Sequence, residues 1–459
     1  MAYPDWVLKH KTKGTELRKI RDKYYLYKVT SKWDPKKKKA KKVTLGQVGT
    51  ISEEYGLIPT GMKRKGRIPT GQSPLKNPHI QEERSVEGFL DNFSTLEDPR
   101  SERNQLHSVD EIFLLTFCAV ICGADGWQDV EDYGKSKLEY LKQYLDYNNG
   151  IPSDDTIRRF FRATAVEKFA ELFREWVGNI VKKEDIKVIA FDGKSSRHSF
   201  DGEQKMLHTV SAYATEVRLV LGQEKVAEKS NEITAIPKML EWLDVKDHIV
   251  TIDAMGCQYA IADQIIAKSG NYIFSLKGNQ GNLSDDVKLY FEDDTLYSED
   301  RKLEKASHHI DNDKGHGRLE TRECRVTNNV DWLKKRHGNW QTIKSIIEIK
   351  STREIKGKAT KEARYYISSL DASADKILQS IRSHWAIENS LHWILDMSFS
   401  DDQSRIRKEN APYAIAIMRH IALNVLQLAK QERQSIKGLR KICGWNNSIL
   451  DLVLSKKIS

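Results

Sequence analysis

The sequence predicts an α/β fold, and three observations support this prediction. Two short apolar runs, VIAFD at 188–192 and IVTID at 249–253, have the composition of strands buried in a parallel sheet. Strand-like and helix-like segments alternate between residues 186 and 283. The 459 residues include 39% hydrophobic and 31% charged side chains, a balance typical of a globular protein with a sizeable core.

The order of the predicted elements indicates which kind of α/β fold is expected. The elements are a strand at 186–194, a hairpin at 207–226, a helix at 230–243, a strand at 248–256 and a helix at 259–270. A strand begins at 271, and after a long polar segment an acidic helix is predicted around 376–396. This is the order of elements in an RNase H-like core.

We predict five parts along the chain. They are a basic β-rich N-terminal module with a Gly/Pro linker at 1–75, a helical domain at 84–182, an RNase H-like catalytic core at 186–283 and 371–430, a β-rich insertion at 284–370, and a C-terminal tail at 431–459. In the helical domain, Ser108 is the expected N-cap of a helix that Gly123 ends.

Charge is distributed unevenly along the chain. Residues 1–75 hold 19 lysines and arginines against six acidic residues, a net charge of +13, whereas the remainder has a net charge of −3. Such asymmetry favours a polyanionic partner, such as nucleic acid, for the N-terminal module. The alternative is that these lysines only increase solubility.

Composition argues against several classes of protein. No apolar run approaches the roughly 20 residues that span a bilayer, and the N-terminus lacks a signal peptide's apolar segment, so a cytoplasmic protein is expected. The five cysteines are dispersed and lack the paired spacing of a zinc site.

The residues best suited to chemistry are carboxylates. Asp192 and Asp253 each end a predicted buried strand, and active sites gather at the carboxyl ends of such strands. A single aspartate in such a position is more often a turn or cap residue, but two in this order favour a Mg²⁺ site. Two ions about 4 Å apart stabilise both oxygens of a phosphodiester displacement.

A third carboxylate is predicted on the helix around 376–396. Glu388 lies in mid-helix, and His384 and His392 share its face at four-residue spacing. A zinc site is the alternative, although its HExxH motif places the histidines four residues apart and not eight. Asp396 competes with Glu388 as the third carboxylate.

Several motifs in this order carry a family resemblance. They include FDGK, HTVSAYATE, LVLGQEKVAEKSNEITAIP, IVTIDAMGCQ, SLKGNQGNL, GHGRLETR, RYYISSL, RSHWAIENSLHWILD and SRIRKENAP. Over roughly residues 85–450 the chain resembles the ISAs-type insertion-sequence transposases, which include the H-repeat-associated proteins.

The resemblance implies a bacterial DDE transposase that binds transposon ends, cleaves DNA and joins the 3′-hydroxyl to target DNA. The three acidic positions of that family fall on Asp192, Asp253 and Glu388, which would be both catalytic and metal-binding. The resemblance also implies that the site binds two Mg²⁺ ions, for which Mn²⁺ can substitute. The expected partner is double-stranded DNA, on which the protein would form a homodimer that joins the two transposon ends, in the bacterial nucleoid.

Two departures accompany the resemblance. The better-studied transposases with such an insertion carry a Tyr/Arg/Glu/Lys signature, and here Ile381, His384 and Leu395 occupy the Tyr, Arg and Lys spacings. Residues 1–75 lie outside the family's core. A catalytically silent, transposase-derived DNA-binding protein and a stand-alone nuclease are therefore kept as alternatives.

Residues near the carboxylates are candidate DNA contacts, because basic and amide side chains bind phosphates. They are Lys194, Arg197, Lys277, Asn279, Gln280, Arg318, His384, Arg405 and Arg407. An ordinary polar turn is the alternative for the SLKGNQGN residues, and a solvated basic turn is the alternative for Arg405 and Arg407.

Overall fold

The computed structural model describes most of the chain. The described residues are 3–13, 15–20, 23–34, 39–52, 56–59, 91–93, 95–100, 105–181, 184, 186–200, 205–227, 231–315, 318–355 and 357–455. Two compact units, Met1–Glu82 and Glu83–Ser459, divide the chain. The predicted linker lies outside the described residues from residue 60 onward.

In the first unit a short helix packs on a four-stranded antiparallel sheet. The elements are α1 (Asp5–Leu8), β1 (Thr15–Ile20), β2 (Lys23–Asp34), β3 (Lys39–Ser52) and β4 (Gly56–Pro59), and the strands are neighbours in that order. Val7 of the helix and Leu17, Leu26 and Ile51 of the sheet form a small buried core. The strands predicted in this basic segment are therefore confirmed.

The second unit begins with a helical region. Its helices are α2 (Val109–Cys122), α3 (Trp127–Leu141), α4 (Asp154–Ala163) and α5 (Val166–Val181). As predicted, Ser108 caps α2: its side chain accepts from the Glu111 N–H while the Glu111 carboxylate accepts from the Ser108 N–H. The helix ends at Gly123, whose φ of 120° favours glycine.

A nine-stranded mixed sheet forms the centre of the second unit. Its strands are β5 (Val188–Ser195), β6 (His208–Ala214), β7 (Leu219–Lys225), β8 (Ile249–Ile252), β9 (Asn271–Leu276), β10 (Ala306–Gly315), β11 (Arg318–Thr327), β12 (Ser345–Ile355) and β13 (Lys358–Ser368). They lie in the order β10-β11-β12-β13-β9-β8-β5-β6-β7. β5, β8 and β9 are parallel to one another, and all other pairs are antiparallel. Helices α6 (Glu232–Trp242) and α7 (Tyr259–Ala267) connect the central strands.

The predicted β-rich segment starts with helices. Residues 284–302 belong to α8 (Asn282–Glu292) and α9 (Asp294–Lys302), and α10 (Asp331–Arg336) lies between β11 and β12. Buried Leu283, Val287 and Phe291 recur at helical spacing in α8, a pattern hidden by the polar residues around them. The four strands from Ala306 onward extend the central sheet through β13 beside β9.

Helices complete the second unit. They are α11 (Ala374–Ala386), a π-helical segment (Ile387–His392), α12 (Trp393–Phe399), α13 (Ala411–Ala429), α14 (Ile436–Trp445) and α15 (Asn447–Leu454). In α13 the buried Asn424 side chain bonds both the N–H and the carbonyl of Val220, which satisfies backbone groups on the edge strand β7. Among the described helices, none combines the length and apolarity needed to cross a bilayer.

Candidate active site

The two predicted aspartates lie on neighbouring parallel strands. β5 and β8 are in register with Phe191 opposite Ile252, so Asp192 and Asp253 are the next residues along their chains. Phe191 and Ile252 are buried, and the chain becomes partly exposed at the aspartates. Strand β5 continues to Ser195 beside β6, but its parallel pairing with β8 ends at Phe191, so both carboxylates directly follow the parallel pairing, on the side of the sheet where α/β folds place active sites.

The backbone and a histidine hold these carboxylates in place. Oδ1 of Asp192 accepts from the Gly193 N–H at 2.9 Å, and Oδ2 lies 3.3 Å from Nδ1 of His392. Oδ1 of Asp253 accepts from the Met255 N–H at 2.9 Å. Each aspartate therefore keeps further oxygen lone pairs for a ligand.

Three acidic side chains surround Asp192 closely enough to act on its charge. Burial, and then the negative charges of Glu232, Asp253 and Glu388, raise the pKa of Asp192 to about 7. Among the described residues, neither Asp253 nor Glu388 pairs with a cationic side chain. The group therefore carries uncompensated negative charge that a bound cation would relieve.

Glu232 is a neighbour of Asp192 that the sequence analysis missed. It begins α6 and accepts from Nε2 of His208 at 3.2 Å. A Cβ atom at residue 193 would collide with the Glu232 carboxylate, so glycine at 193 permits this close approach. No local pattern indicated this neighbour, because the contact joins a strand to a helix that starts 40 residues later.

Glu388 lies where the helix changes its hydrogen-bond pattern. α11 ends at Ala386, and in the π-helical segment the N–H of Trp393 bonds to the carbonyl of Glu388, five residues earlier. Sequence analysis predicted one helix through this region, and the π-helical turn is the difference. Such turns are frequent at functional sites, since the extra residue re-aims the side chains beside it.

The three predicted carboxylates line one cavity of about 380 Å³, which we call the carboxylate cavity. Asp192 and Asp253 reach the cavity from the central strands of the sheet, and Glu388 reaches it from the π-helical segment. Lys277, at the end of β9, also lines the cavity and contributes a positive charge at its wall. Hard oxygen ligands in a space this size fit Mg²⁺ and its remaining waters.

Two histidines flank the carboxylate cavity. Nδ1 of His384 lies 2.9 Å from Oγ1 of Thr251, and burial lowers the His384 pKa to about 4. Burial, assisted by the charge of Lys194, lowers the His392 pKa to about 3. Both rings are therefore neutral at pH 7, and neither cancels the negative charge of the carboxylates.

A second acidic group, the Lys194 cluster, lies further along the chain. Its carboxylates belong to Asp396, Asp401 and Asp402, whose oxygens lie within 4.8 Å of one another. Nζ of Lys194 is 2.5, 3.9 and 3.3 Å from them in that order. Arg419 also pairs with buried Asp401 at 2.7 Å. Asp396 is thus committed to a lysine and is not among the residues of the carboxylate cavity.

Three predicted DNA contacts lie beside the carboxylates. Lys277 and His384 line the carboxylate cavity. The side-chain amide of Asn279 donates to the Ala254 carbonyl at 2.7 Å and so stabilises the backbone directly after Asp253. Gln280 ends the same short turn, Gly278–Gln280, and is half-buried.

The other predicted DNA contacts lie further away or already have partners. Lys194 is partly buried in its cluster, with a side chain that is 10% exposed, and the side chain of Arg197 is 77% exposed and lies 3.3 Å from Asp402. Nε of Arg407 donates to the His198 carbonyl at 2.9 Å, while Arg405 is exposed. Arg318 pairs with Glu320 at 3.0 Å. Their roles in DNA binding stay predictions.

A second cavity of about 690 Å³ adjoins the first, and we call it the arginine trough. It runs between the extended sheet and α11, and Arg318, Arg322, Arg353, Arg364 and Arg382 line it. Both cavities include Glu388, Trp385 and Arg364, whose guanidinium lies 4.7 Å from the Trp385 ring. Apart from Arg318, sequence analysis missed these arginines, because only the strand pairing brings them together.

Comparison with known proteins places this geometry in a family. The family described as "Transposase DDE domain" matches residues 183–425, more than half of the chain and all three candidate carboxylates. The family described as "DDE_Tnp_1-associated" matches residues 90–177, which contain helices α2 to α4 and most of α5.

Relatives agree with both matches. The H repeat-associated putative transposase YhhI of Escherichia coli strain K12 is 40% identical over 80% of this chain and 97% of its own length. YncI of Escherichia coli O157:H7, named a putative transposase, is 40% identical over 81% of this chain and 95% of its own length. A short relative named inactive transposase YbfQ is 49% identical over 16% of this chain and 84% of its own length. The chain therefore belongs to the DDE transposase family, in the group of the H repeat-associated proteins.

Proposed function

We propose that this protein cuts and joins DNA strands at the carboxylate cavity. The observation that carries the proposal is the placement of Asp192, Asp253 and Glu388 on one cavity, although they are distant in sequence. Family membership supports DNA as the substrate. The strand order, with parallel β5, β8 and β9 beside antiparallel β6 and β7, supports an RNase H-like core interrupted by residues 284–370.

The same three carboxylates would hold two Mg²⁺ ions. Asp192, Asp253 and Glu388 would all supply oxygen ligands to these ions, because all three line the carboxylate cavity. When bound, the ions would stabilise the attacking and leaving oxygens of an in-line displacement. Mn²⁺ accepts the same oxygen ligands and would substitute.

The cationic residues of the two cavities would position the DNA. Lys277 and Arg364 line the carboxylate cavity, where they would bind the non-bridging oxygens of the scissile phosphate. The arginine trough would bind the phosphates of the same DNA strand beyond the carboxylate cavity. His392 would keep Asp192 oriented through its 3.3 Å contact.

Two displacements of the same kind would follow at this site. In the first, a water oxygen bonds to phosphorus and the bond to the 3′-oxygen breaks, which leaves a free 3′-hydroxyl on the element end. In the second, that hydroxyl oxygen attacks a target phosphodiester and displaces the target's own 3′-oxygen. Because two element ends are joined in one event, we propose at least a dimer on the DNA.

The test uses the full chain, Mg²⁺ and DNA fragments that flank its gene in the source genome. We expect cuts at defined positions and joined products with a second DNA, and we expect neither from Asp192→Asn or Asp253→Asn. Mg²⁺-dependent cutting by those variants would contradict the proposed centre. Cuts without joined products would indicate a stand-alone nuclease, and binding without cutting would indicate a catalytically silent DNA-binding protein.

A further inference from the structure

Strands β2 and β3 extend beyond the rest of the N-terminal sheet. β1 pairs with β2 only as far as Lys28, and β4 pairs with β3 only from Gly49 onward. The ladder between β2 and β3 continues from Val29 opposite Thr44 to Asp34 opposite Lys39. These residues, 29–34 and 39–44, form a two-stranded stretch that we call the ribbon.

The base of the ribbon is marked by an irregularity in the ladder. The register between β2 and β3 shifts between Lys28 and Val29, where β1 stops. Such bulges bend a strand and increase its local twist. Six paired residues at about 3.4 Å each give the ribbon a length of about 20 Å, comparable with the width of a DNA duplex.

The ribbon is strongly basic. Its twelve described residues include Lys32, Lys39, Lys41 and Lys42 against a single acidic residue, Asp34. The register pairs Lys32 directly with Lys41, whereas Asp34 is opposite Lys39. Like charges in directly opposite positions destabilise an antiparallel pair, and a two-stranded hairpin is only marginally stable by itself. Because Asp34 offsets one of the four lysines, a polyanion would supply the remaining opposite charge.

We propose that the ribbon binds double-stranded DNA along the major groove, and that its four lysines supply the charge opposite to that of the phosphates. A two-stranded β-ribbon has the dimensions that the major groove admits, and DNA charge is dense enough to offset several lysines at once. The choice of DNA rests on the proposed function of the chain. The matched family regions begin at residue 90, so this contact would be an addition to the shared catalytic region.

The first variant shortens the ribbon within the full-length protein. Residues 30–43 are replaced by Asn-Gly, a two-residue turn that joins the directly paired Val29 and Thr44 and leaves the four-stranded part intact. Binding to a duplex from the gene's flanking DNA is measured by fluorescence anisotropy at several salt concentrations. We expect affinity to fall about tenfold or more, and the slope of log affinity against log salt to become shallower.

A second pair of variants distinguishes the effect of the ribbon lysines on DNA binding from the effect of the protein's overall positive charge. Lys39, Lys41 and Lys42 are changed together to Gln, and the matched control changes Lys9, Lys11 and Lys13 to Gln. Only the first set should reduce the salt slope, by about 0.9 for each phosphate that a lysine no longer neutralises. The corresponding Lys→Arg set should keep the wild-type slope, since it keeps the charge.

Three outcomes would overturn the inference. These are unchanged affinity after shortening, equal losses in the two glutamine sets, and tighter lysine-dependent binding to duplex RNA or anionic lipid vesicles than to DNA. None of them bears on cleavage, which the Asp192→Asn and Asp253→Asn variants test separately. Conversely, ribbon-dependent binding by a protein that never cuts DNA would support this inference and contradict the proposed function.

Discussion

Two groups of carboxylates lie near strand β5, and they differ in what balances their charge. In the Lys194 cluster, Asp396, Asp401 and Asp402 surround the ammonium group of Lys194, and Arg419 pairs with Asp401. The carboxylate cavity has Asp192, Asp253 and Glu388 with neutral histidines beside them. Two residues of strand β5 therefore belong to different groups: Asp192 lines the carboxylate cavity, and Lys194 balances the charge of the Lys194 cluster. The carboxylates of the Lys194 cluster pair directly with cations, whereas Asp253 and Glu388 have no ion-pair partner among the described residues and are suited to bind cations from solution.

The largest expected effect is on catalysis. Asp192→Asn would remove one carboxylate ligand and roughly 4 kcal/mol of charge stabilisation, so the cleavage rate should fall about a thousandfold. The variant should keep its fold, since it also removes repulsion. Rates on flanking DNA and a melting curve measure the two effects. A variant with wild-type cleavage would place the chemistry elsewhere.

The second effect is on stability and belongs to the Lys194 cluster. Asp401→Asn leaves Arg419 and Lys194 with less compensating charge in a buried place, so the free energy of unfolding should fall by about 3 kcal/mol. The matched control is Asp402→Asn, whose side chain is 25% exposed and should cost less than about 1 kcal/mol. Equal losses in chemical denaturation would contradict the distinction between the two aspartates.

A smaller effect concerns pH and Mg²⁺. The pKa of Asp192 is raised to about 7, so without metal its contribution to stability is full below pH 4 and is lost as pH rises through 7. We therefore expect Mg²⁺ to raise the melting temperature by a few degrees more at pH 8 than at pH 5. Asp192→Asn should abolish this difference and Asp396→Asn should preserve it. Equal Mg²⁺ shifts at both pH values would refute the assignment.

The smallest expected effect lies in the arginine trough. Arg353 is 49% exposed and reaches Glu320 only at 3.9 Å, so its guanidinium has donors available for a phosphate. An exposed ion pair contributes about 0.2–1 kcal/mol, so Arg353→Ala should lower kcat/KM about threefold. The loss should disappear when joining is measured on a pre-cut substrate whose strand ends in the free 3′-hydroxyl. An equal loss on uncut and pre-cut substrates would exclude a flanking contact.

Local patterns predicted much of the fold and the candidate site. The apolar strands that lead to Asp192 and Asp253 could be recognised directly, because burial is a property of short segments, although β5 continues past Asp192 to Ser195. The placement of Glu388 on a helix followed from periodicity. Ser108 and Gly123 marked the ends of α2, because caps depend on residues within one turn.

Features that depend on distant pairing could not be predicted. The partners of Lys194 come from a segment about 200 residues later, and the side-chain amide of Asn279 donates to the Ala254 carbonyl, directly after Asp253. The DNA contacts expected of Lys194 and Asn279 stay predictions. The π-helical turn at Glu388 adds a residue to a helix whose sequence shows no break. The arginines of the trough come together through the pairing of β11 with β12 and of β12 with β13.

The alignment of Phe191 with Ile252 has a consequence for how the chain can vary. A slip of one residue between two strands turns every side chain of one of them to the opposite face. An inserted or deleted residue in β5 or β8 would therefore point one aspartate away from the other, even with every acidic residue retained. The register that pairs Phe191 with Ile252 therefore keeps the two aspartates side by side.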